Sequence, residues 1–238
     1  MRVAAIVPAF NEAGRIGAVL SILEKTQGLD EIIVVDDGST DETFAEVPRE
    51  NGIRAVRMKR NSGKGAALLA GVKASRAEVL VFVDADLVRL ESRHIENLLK
   101  PVLNGEADMT TAVFRGGRWR TDWSQRLVPY ISGQRALRRD FFLSLRGLEE
   151  ARFGIETALT WEAKRRALRI KKVPWEGVTH VMKEEKLGLG RGLVERAKMY
   201  WQIGVYLSHA IRKNGSSNSC APEAPDSSST EEKRKEPR

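Results

Sequence analysis

Two carboxylates, Asp84 and Asp86, directly follow an apolar run at residues 79–83 near the middle of the chain. The run is rich in β-branched and aromatic side chains, which predicts a buried strand. If the backbone stays extended past the strand, Asp84 and Asp86 lie on the same face, because strand side chains alternate. Paired carboxylates at the carboxyl edge of a parallel sheet can hold a divalent cation such as Mg²⁺, although an acidic polar turn would have the same sequence.

Three more polar clusters occur in the first half of the chain, each close to a predicted strand end or helix start. They are Pro8-Ala9-Phe10-Asn11-Glu12, Asp36-Asp37-Gly38-Ser39-Thr40-Asp41 and Asn61-Ser62-Gly63-Lys64-Gly65. Taken separately, they are compatible with helix caps, a glycine turn and a polar strand end. Capping does not explain why all of them also supply carboxylates, an amide and a lysine.

The cluster around Lys64 does not match the common nucleotide-binding loops. The phosphate-binding loop of NTPases needs a glycine where Met58 stands and a serine or threonine where Gly65 stands. No G-x-G-x-x-G follows the first predicted strand, so the dinucleotide-binding fingerprint is absent as well. Both familiar classes of nucleotide site are therefore disfavoured.

What remains is a nucleotide site built from carboxylates and a lysine. Asp37 and Asp84 could accept hydrogen bonds from the base and the ribose of a nucleotide. The charge of a diphosphate would need a metal on Asp86, helped by Lys64 and by amides at a helix start.

Short apolar strands alternate with helices across the first half of the chain. The pattern predicts strands at 3–7, 32–35, 54–58 and 79–83, and helices at 16–23, 41–47, 64–74 and 92–103. Such alternation indicates an α/β fold with a mostly parallel, Rossmann-like sheet that carries helices on both faces. Crossovers in such a sheet are nearly always right-handed, so all four polar clusters are expected along one edge.

The second half of the chain predicts further elements and a polar tail. Strands are predicted at 107–113, 173–175 and 178–181, helices at 134–143, 155–168 and 193–211, and a basic loop that covers the site at 115–124. The residues from about 215 onward have almost nothing to bury. We therefore predict a single domain at 1–212, divided into halves at 1–115 and 116–212, and a disordered tail at 213–238.

The composition favours a globular protein with anionic partners. The 238 residues are 42% apolar and 30% charged, which is ordinary for a globular chain. The formal net charge of +8 favours nucleotides, phosphorylated metabolites or an acidic membrane surface. Neither a zinc-finger spacing nor the aromatic and basic pattern of an RNA-binding sheet is present, so no nucleic-acid partner is expected.

Cysteine usage and apolar stretches favour a cytoplasmic location. The single cysteine, Cys220, gives no disulfide framework, which fits a reducing compartment. The apolar stretches at 3–7 and 199–211 are too short for a signal-peptide core and a membrane span, respectively. The last predicted helix is aromatic and basic, so it is compatible with peripheral membrane contact or with a homodimer interface. We prefer packing, against its own domain or a second subunit, over membrane contact.

The four polar clusters, taken in order, resemble the successive signatures of family 2 glycosyltransferases. The resemblance covers about residues 1–115 and implies the GT-A fold, which is the fold of nucleotide-diphospho-sugar transferases. It also implies a UDP- or GDP-type sugar donor with a Mg²⁺ or Mn²⁺ ion, so that residues 1–115 are the donor-binding half. The implied donor contacts are Pro8, Ala9, Phe10, Asn11, Glu12, Asp37, Lys64, Asp84 and Ala85, and Asp86 is the implied metal ligand.

Three segments of residues 116–212 are similar to the acceptor half of glucosyl-3-phosphoglycerate synthases and their relatives. They are Ser132-Gly133-Gln134-Arg135-Ala136-Leu137-Arg138-Arg139, Phe153-Gly154-Ile155-Glu156 and Gly177-Val178-Thr179-His180. The similarity implies that a phosphorylated acceptor contacts Gly133, Gln134, Arg135, Ala136 and Lys183. It also implies that the donor sugar contacts Phe153, Gly154, Ile155 and Glu156, and that His180 completes the metal site with Asp86.

The histidines have structural interpretations as well. A lone histidine such as His180 is most often structural, and only the flanking pattern favours a ligand role. His94 lies in a predicted helix start beside charged residues, and we expect it to face solvent. His209 has no chemical neighbours in sequence.

Glu156 and the nearby arginines also allow two interpretations. A carboxylate such as Glu156 at a helix start is favoured by the helix dipole whatever its function. Arg135, Arg138 and Arg139 could bind an acceptor phosphate through bidentate contacts, or they could form the solvated face of an amphipathic helix.

The resemblance predicts a metal-dependent hexosyltransferase with Asp86, Lys64 and Glu156 as catalytic residues. A metal on Asp86, with Lys64, would stabilise the departing diphosphate, and Glu156 would contact the sugar or act as a base. UDP-glucose is the favoured donor and a small phosphorylated molecule such as 3-phosphoglycerate the acceptor. Transfer to a polyprenyl phosphate at a membrane is the alternative within the enzyme class, and a nucleotide-sugar-binding protein without turnover is the alternative from another class.

Overall fold

The computed structural model describes residues 1–49, 52–115, 133–145 and 154–180, with the backbone alone at His180. The strands are β1 (Val3–Ala9), β2 (Glu31–Asp36), β3 (Ile53–Arg57), β4 (Val79–Phe82), β5 (Leu87–Val88), β6 (Met109–Arg115), β7 (Arg135–Arg138), β8 (Ile170–Glu176) and β9 (Thr179–His180). The α-helices are α1 (Ile16–Glu24), α2 (Lys64–Ala74), α3 (Ser92–Leu103), α4 (Arg139–Leu143) and α5 (Ile155–Arg165), and a 3-10 turn spans Glu42–Phe44.

Seven of these strands form one mostly parallel sheet in the order β3-β2-β1-β4-β7-β6-β8. The pairs β1–β2, β2–β3, β1–β4 and β6–β8 are parallel, while β7 is antiparallel to both of its neighbours. A small antiparallel pair is formed by β5 and β9. The predicted α/β fold is confirmed, and every strand of the large sheet except β7 ends at the same edge.

The two faces of the sheet are buried in separate apolar clusters, because side chains alternate along each strand. Val3, Ala5 and Val7 of β1 lie in the cluster that includes α1 and α3, whereas Ala4 and Ile6 lie in the cluster that includes α2 and α5. All four residues of β4 are buried, as expected for a central parallel strand covered on both faces. Helices on both faces therefore leave the edges of the sheet as the places for a site.

The helix predicted at 134–143 is wrong in its first half. Residues Arg135–Arg138 form strand β7, and only Arg139–Leu143 is helical. Arg135 pairs with Phe82 of β4 on one side and with Thr111 of β6 on the other. Two neighbouring strands thus supply hydrogen-bond partners to this short segment, and this tertiary context outweighs its helical pattern.

The helix predicted at 41–47 is also shorter than expected. Only Glu42–Phe44 forms a single 3-10 turn, and the side chain of Asp41 accepts a hydrogen bond from the Thr43 backbone N–H. Capping by Asp41 was one of the interpretations that the sequence allowed, and it is confirmed. The turn that follows β2 is therefore compact.

Several sequence predictions lie outside the described residues. They are the covering loop beyond Arg115, the helix at 193–211, the tail at 213–238, and the contacts of Phe153, Lys183 and the His180 side chain. Within the described ranges, every helix is too short or too polar to cross a bilayer.

Candidate active site

Four loops meet at the edge of the sheet where β1, β2, β3 and β4 end. These strands are adjacent and parallel, so the loops at 10–15, 37–41, 58–63 and 83–86 lie on one rim. Strand β7 runs the other way and begins at this rim, because Arg135 pairs with Phe82. The strand register therefore confirms the predicted convergence of the four polar clusters.

Asn11 joins the loop after β1 to the loop after β2. Its Oδ1 accepts a hydrogen bond from the Thr40 backbone N–H at 2.9 Å, and its own backbone N–H donates to Ser39 Oγ at 3.0 Å. Its φ of 56° lies in the left-handed region, which asparagine tolerates better than most residues. The next backbone N–H, that of Glu12, donates to Thr43 Oγ1 at 2.7 Å. The first loop is thus fixed by the second.

Asp37 joins the loop after β2 to the start of α2. Its two carboxylate oxygens accept hydrogen bonds from the backbone N–H groups of Ser62 at 2.8 Å and Gly63 at 2.7 Å. A Cβ added at Gly38, where φ is 73°, would lie 2.6 Å from the backbone carbonyl carbon of Arg60. Only glycine allows the two loops to come this close.

Lys64, the first residue of α2, forms ion pairs with two carboxylates from distant parts of the chain. Its Nζ lies 2.6 Å from Asp84 Oδ1, after β4, and 2.6 Å from Glu156 Oε1, in the first turn of α5. The exposed fractions of the side chains are 24% for Lys64, 21% for Asp84 and 10% for Glu156. The cluster is therefore partly desolvated but still reachable by a polar ligand.

The charge state of Lys64 follows from these contacts. Burial alone would lower the pKa of Lys64, but the charges and hydrogen bonds of Asp84 and Glu156 outweigh burial and raise the pKa above its ordinary value. Lys64 therefore carries a fixed positive charge at neutral pH and is not a base.

Gly133 and Gln134 both lie against Asp84, and Gly133 also lies against Lys64. Gln134 is buried, and its Nε2 donates a hydrogen bond to Asp84 Oδ2 at 2.7 Å. A Cβ added at Gly133 would lie 2.9 Å from the same oxygen and would also collide with Lys64 Nζ. Both residues thus border the Lys64–Asp84 pair, and their predicted contact with an acceptor stays a prediction.

Arg135 is fully buried beneath the same cluster. Its Nη1 donates a hydrogen bond to the Glu156 carbonyl oxygen at 3.1 Å and a longer one to Thr160 Oγ1 at 3.4 Å. Burial lowers the pKa of Arg135 to about 10, while the negative charges of Glu156 and Asp84 favour its charged form. Arg135 is therefore still protonated at neutral pH.

Asp86 and His180 occupy neighbouring positions in the backbone register. In the β5–β9 pair, Leu87 lies directly opposite His180, so Asp86 is one residue from that pair. Ala85 and Leu87 are buried while Asp84 and Asp86 are half-buried, but residues 85 and 86 form a turn, so the extended backbone on which the predicted alternation depends is not present. Among the side chains that the structure describes, no three or more His, Cys, Asp or Glu residues gather into a metal cage.

The other predicted site residues lie at or just behind the rim. Ala9, Ala85, Ala136, Gly154 and Ile155 are buried, Pro8 and Glu12 are partly buried, and Phe10 is exposed. Arg138 lies at the opposite edge of the sheet, because it pairs with Val79 at the start of β4. Arg138 therefore lies away from the rim and does not bind the phosphate of a substrate that lies there.

His94 does not face solvent, and this expectation was wrong. The side chain is buried, its ring lies 5.5 Å from the Trp175 ring, and its Nδ1 accepts a hydrogen bond from the Glu91 backbone N–H at 3.0 Å. Burial lowers the pKa of His94. Sequence reasoning missed this because Trp175, which covers the ring, is far away along the chain.

The residues that form the rim lie within a stretch of the chain that matches a known sequence family. The family described as Glycosyl transferase family 2 matches residues 4–158, which include all four loops and the Lys64, Asp84 and Glu156 cluster. The chain belongs to glycosyl transferase family 2. The predicted family is therefore confirmed.

Two curated proteins are similar to this family 2 chain over different lengths. Glycosyltransferase AglD of Haloferax volcanii is 29% identical over 244 residues, which cover 86% of this chain and 38% of that protein. Human dolichyl-phosphate beta-glucosyltransferase is 36% identical over 96 residues, which cover 34% of this chain and 30% of that protein. The aligned part thus spans less than half the length of either relative.

A solved structure is similar to this family 2 chain over most of its length. It is glucosyl-3-phosphoglycerate synthase from Mycobacterium tuberculosis in complex with Mn²⁺, UDP and phosphoglyceric acid, at 27% identity and a TM-score of 0.69, covering 87% of this chain and 77% of that one. The same enzyme in complex with Mg²⁺ and UDP gives a TM-score of 0.70. The predicted GT-A fold is confirmed.

Family 2 membership does not account for two features that the sequence did not signal. One is the close approach of Gly133 to the Lys64–Asp84 pair, and the other is the burial of Arg135 against Thr160. Arginine is usually exposed, so a single sequence offers no pattern that would predict a fully buried guanidinium.

Proposed function

We propose that the chain is a metal-dependent glycosyltransferase that moves a hexose from a nucleoside diphosphate sugar to a small phosphorylated acceptor. UDP-glucose is the favoured donor, and 3-phosphoglycerate is the model acceptor. The observation that carries the proposal is the partly exposed cluster of Lys64, Asp84 and Glu156 at the rim where the four loops meet. The similarity to an enzyme solved with UDP and phosphoglyceric acid supports it.

The donor nucleotide lies across the loops after β1, β2 and β4 in this proposal. Asp37 accepts two backbone hydrogen bonds, and a carboxylate can accept more than two, so Asp37 can also accept from the base or the ribose. Pro8 and Ala9 end β1, and Asn11 is hydrogen-bonded to the loop after β2, so these three residues form one side of the proposed nucleotide site. The preformed loops keep the ordering cost of donor binding low.

Asp86 and His180 are the metal ligands in this proposal. One carboxylate and one imidazole suit Mg²⁺ or Mn²⁺ when diphosphate oxygens and water complete the coordination. Asp86 directly precedes Leu87, whose backbone pairs with His180, and this backbone proximity supports the pair. When bound, the ion acts as a Lewis acid that stabilises the diphosphate leaving group.

Lys64 and Glu156 act on the two sides of the bond that breaks. The Lys64 ammonium donates to a diphosphate oxygen and offsets the negative charge that develops there. Glu156 accepts hydrogen bonds from sugar hydroxyls, or it takes the proton of the acceptor hydroxyl if the anomeric configuration is inverted. The acceptor enters beside Gly133, which lies against the Lys64–Asp84 pair. Contacts of the acceptor with Gln134, Ala136 and Lys183 stay predictions from the sequence resemblance.

A transfer assay tests the proposal. The protein is incubated with labelled UDP-glucose or GDP-mannose, each with and without Mn²⁺ and 3-phosphoglycerate. We expect Mn²⁺-dependent release of UDP from UDP-glucose, faster when 3-phosphoglycerate is present. Donor binding without transfer and without slow hydrolysis would instead identify a nucleotide-sugar-binding protein.

A polyprenyl phosphate is the second candidate acceptor. The similarity to human dolichyl-phosphate beta-glucosyltransferase and the net charge of +8 favour it. Flotation with liposomes that contain polyprenyl phosphate separates the candidates, because a lipid acceptor requires membrane association. Cytoplasmic location and homodimer formation remain predictions from the sequence.

A further inference from the structure

We propose that Arg135 is a positioning residue for Glu156 and does not bind the acceptor. The inference rests on the proposed function, in which Glu156 lies against the donor sugar. It replaces the acceptor contact that the sequence resemblance implies for Arg135 with a role inside the protein.

The position of Arg135 in the sheet excludes contact with a soluble acceptor. The residue begins β7, where it pairs with Phe82 of β4 on one side and with Thr111 of β6 on the other. It is fully buried, as are Gln134 before it and Ala136 after it. A guanidinium with no exposed surface offers no face to a phosphate in solution.

The hydrogen bonds of Arg135 converge on the helical turn that carries Glu156. The Glu156 carbonyl accepts from Arg135 Nη1 at 3.1 Å and from Thr160 Oγ1 at 2.9 Å, and Arg135 Nη1 also reaches Thr160 Oγ1 at 3.4 Å. A helical carbonyl usually accepts only the N–H four residues later. The extra donors therefore fix the first turn of α5, and with it the direction of the Glu156 side chain.

Arg135 and Lys64 lie near the same two carboxylates but have different roles in this proposal. A buried guanidinium needs compensating negative charge, and Glu156 and Asp84 supply it. The same two carboxylates pair with Lys64, whose side chain is partly exposed. Lys64 can thus turn toward a diphosphate, whereas Arg135 stays beneath Glu156 and holds it in place.

Four variants test this role. Arg135→Met removes the guanidinium, Arg135→Lys keeps a charge without the planar fork, Thr160→Val removes the bridging hydroxyl, and Arg54→Met changes an exposed arginine of β3 as the control.

Rates are measured with UDP-glucose, Mn²⁺ and 3-phosphoglycerate. We expect Arg135→Met to lower kcat by about 100-fold with KM for 3-phosphoglycerate unchanged, because a misplaced Glu156 loses its alignment with the sugar. Arg135→Lys and Thr160→Val should lose less, and Arg54→Met nothing.

The opposite kinetic pattern would overturn the inference. If Arg135→Met raises KM for 3-phosphoglycerate and leaves kcat unchanged, Arg135 binds the acceptor. If Arg135→Met turns over like the parent, Arg135 has no role in the reaction. Should Arg135→Met not fold, the same comparison is made with Arg135→Lys and Thr160→Val.

Amide hydrogen exchange separates this inference from the proposed function. A parent protein that releases no UDP from UDP-glucose contradicts the proposed function but not the contacts of Arg135. In that case, faster exchange in the first turn of α5 in Arg135→Lys and Thr160→Val still supports positioning. Unchanged exchange there overturns it, whether or not the protein transfers sugar.

Discussion

In the proposed function, Lys64 is the residue on which the chemistry of the rim depends most. It lies between two carboxylates that would otherwise repel each other, and both contacts are 2.6 Å. The raised pKa of Lys64 means that its stabilising contribution is complete below its ordinary pKa of 10.5 and is lost only as pH rises through the higher folded value. The cluster should therefore stay intact across the neutral range.

Replacement of Lys64 should lower turnover. We expect Lys64→Met to lower kcat by about 100-fold or more, because one preorganised donor to the leaving group is lost. Lys73→Met, at the exposed end of the same helix, is the matched control. Steady-state rates with UDP-glucose and Mn²⁺ measure the effect, and near-parental turnover by Lys64→Met would remove this lysine from the mechanism.

Gly133 is a second residue whose identity should matter. Gly133→Ala places a Cβ 2.9 Å from Asp84 Oδ2 and against Lys64 Nζ, so the ion pair must shift. We expect at least about tenfold slower turnover from this displacement. Gly17→Ala is the control, because a Cβ at Gly17 in α1 has nothing within 4 Å. Equal rates for the two variants would show that the geometry around Asp84 is not critical.

At the scale of elements, side-chain hydrogen bonds connect the loops of the rim to one another. Asp37 ties the loop after β2 to the start of α2, and Asn11 ties the loop after β1 to Thr40. Gly38 allows the backbone of its loop to touch Arg60. The rim is therefore a preformed surface, and the close contact between its loops can be tested by adding a methyl group at Gly38.

Two glycine variants separate crowding from backbone strain. Gly38 and Gly28 both have positive φ, but only Gly38 would place its Cβ against backbone. We expect Gly28→Ala to lower the free energy of unfolding by about 1 kcal/mol, which is the cost of left-handed alanine. Gly38→Ala should cost about 3 kcal/mol or more, because the loops must separate. Denaturant unfolding measures both, and equal losses would contradict the close loop contact.

His94 makes the stability of α3 depend on pH. Burial lowers the pKa of His94 from its ordinary 6.5, so the unfolded chain binds the proton more readily than the folded one. The free energy of unfolding should thus be fully retained above pH 6.5 and fall as pH drops below it. Comparison with His94→Gln isolates this residue, because the two proteins differ only at position 94. Parallel pH profiles would show that His94 is not responsible.

The sequence predicted the strand–loop pattern of the first half because its apolar runs are continuous and its loops carry distinctive polar residues. The loop convergence follows from the parallel order alone. The sequence did not predict β7, because residues 135–138 are a strand only through pairing with β4 and β6. For the same reason, the burial of Arg135 and the contact of Gln134 with Asp84 depend on neighbours that no local pattern reveals.

At the scale of the whole molecule, the proposed site lies at one edge of the sheet, and the opposite edge carries charged residues that the proposal does not use. The edge where β1 to β4 end carries the carboxylates and Lys64. The opposite edge carries Arg138 and Asp108, and Asp108 pairs with Arg169 at 2.9 Å. If the proposed function is correct, charge changes at the first edge alter ligand binding and similar changes at the second do not.

Titration calorimetry of UDP-glucose with and without Mn²⁺ tests the central claim most directly. The parent protein is compared with Asp86→Asn, and Asp108→Asn is the control. The claim is that acidic residues at the carboxyl edge hold a cation that binds the diphosphate of the donor. We predict Mn²⁺-dependent binding by the parent and by Asp108→Asn, and binding by Asp86→Asn that is at least about tenfold weaker and no longer Mn²⁺-dependent. Parental, Mn²⁺-dependent affinity in Asp86→Asn would contradict the claim.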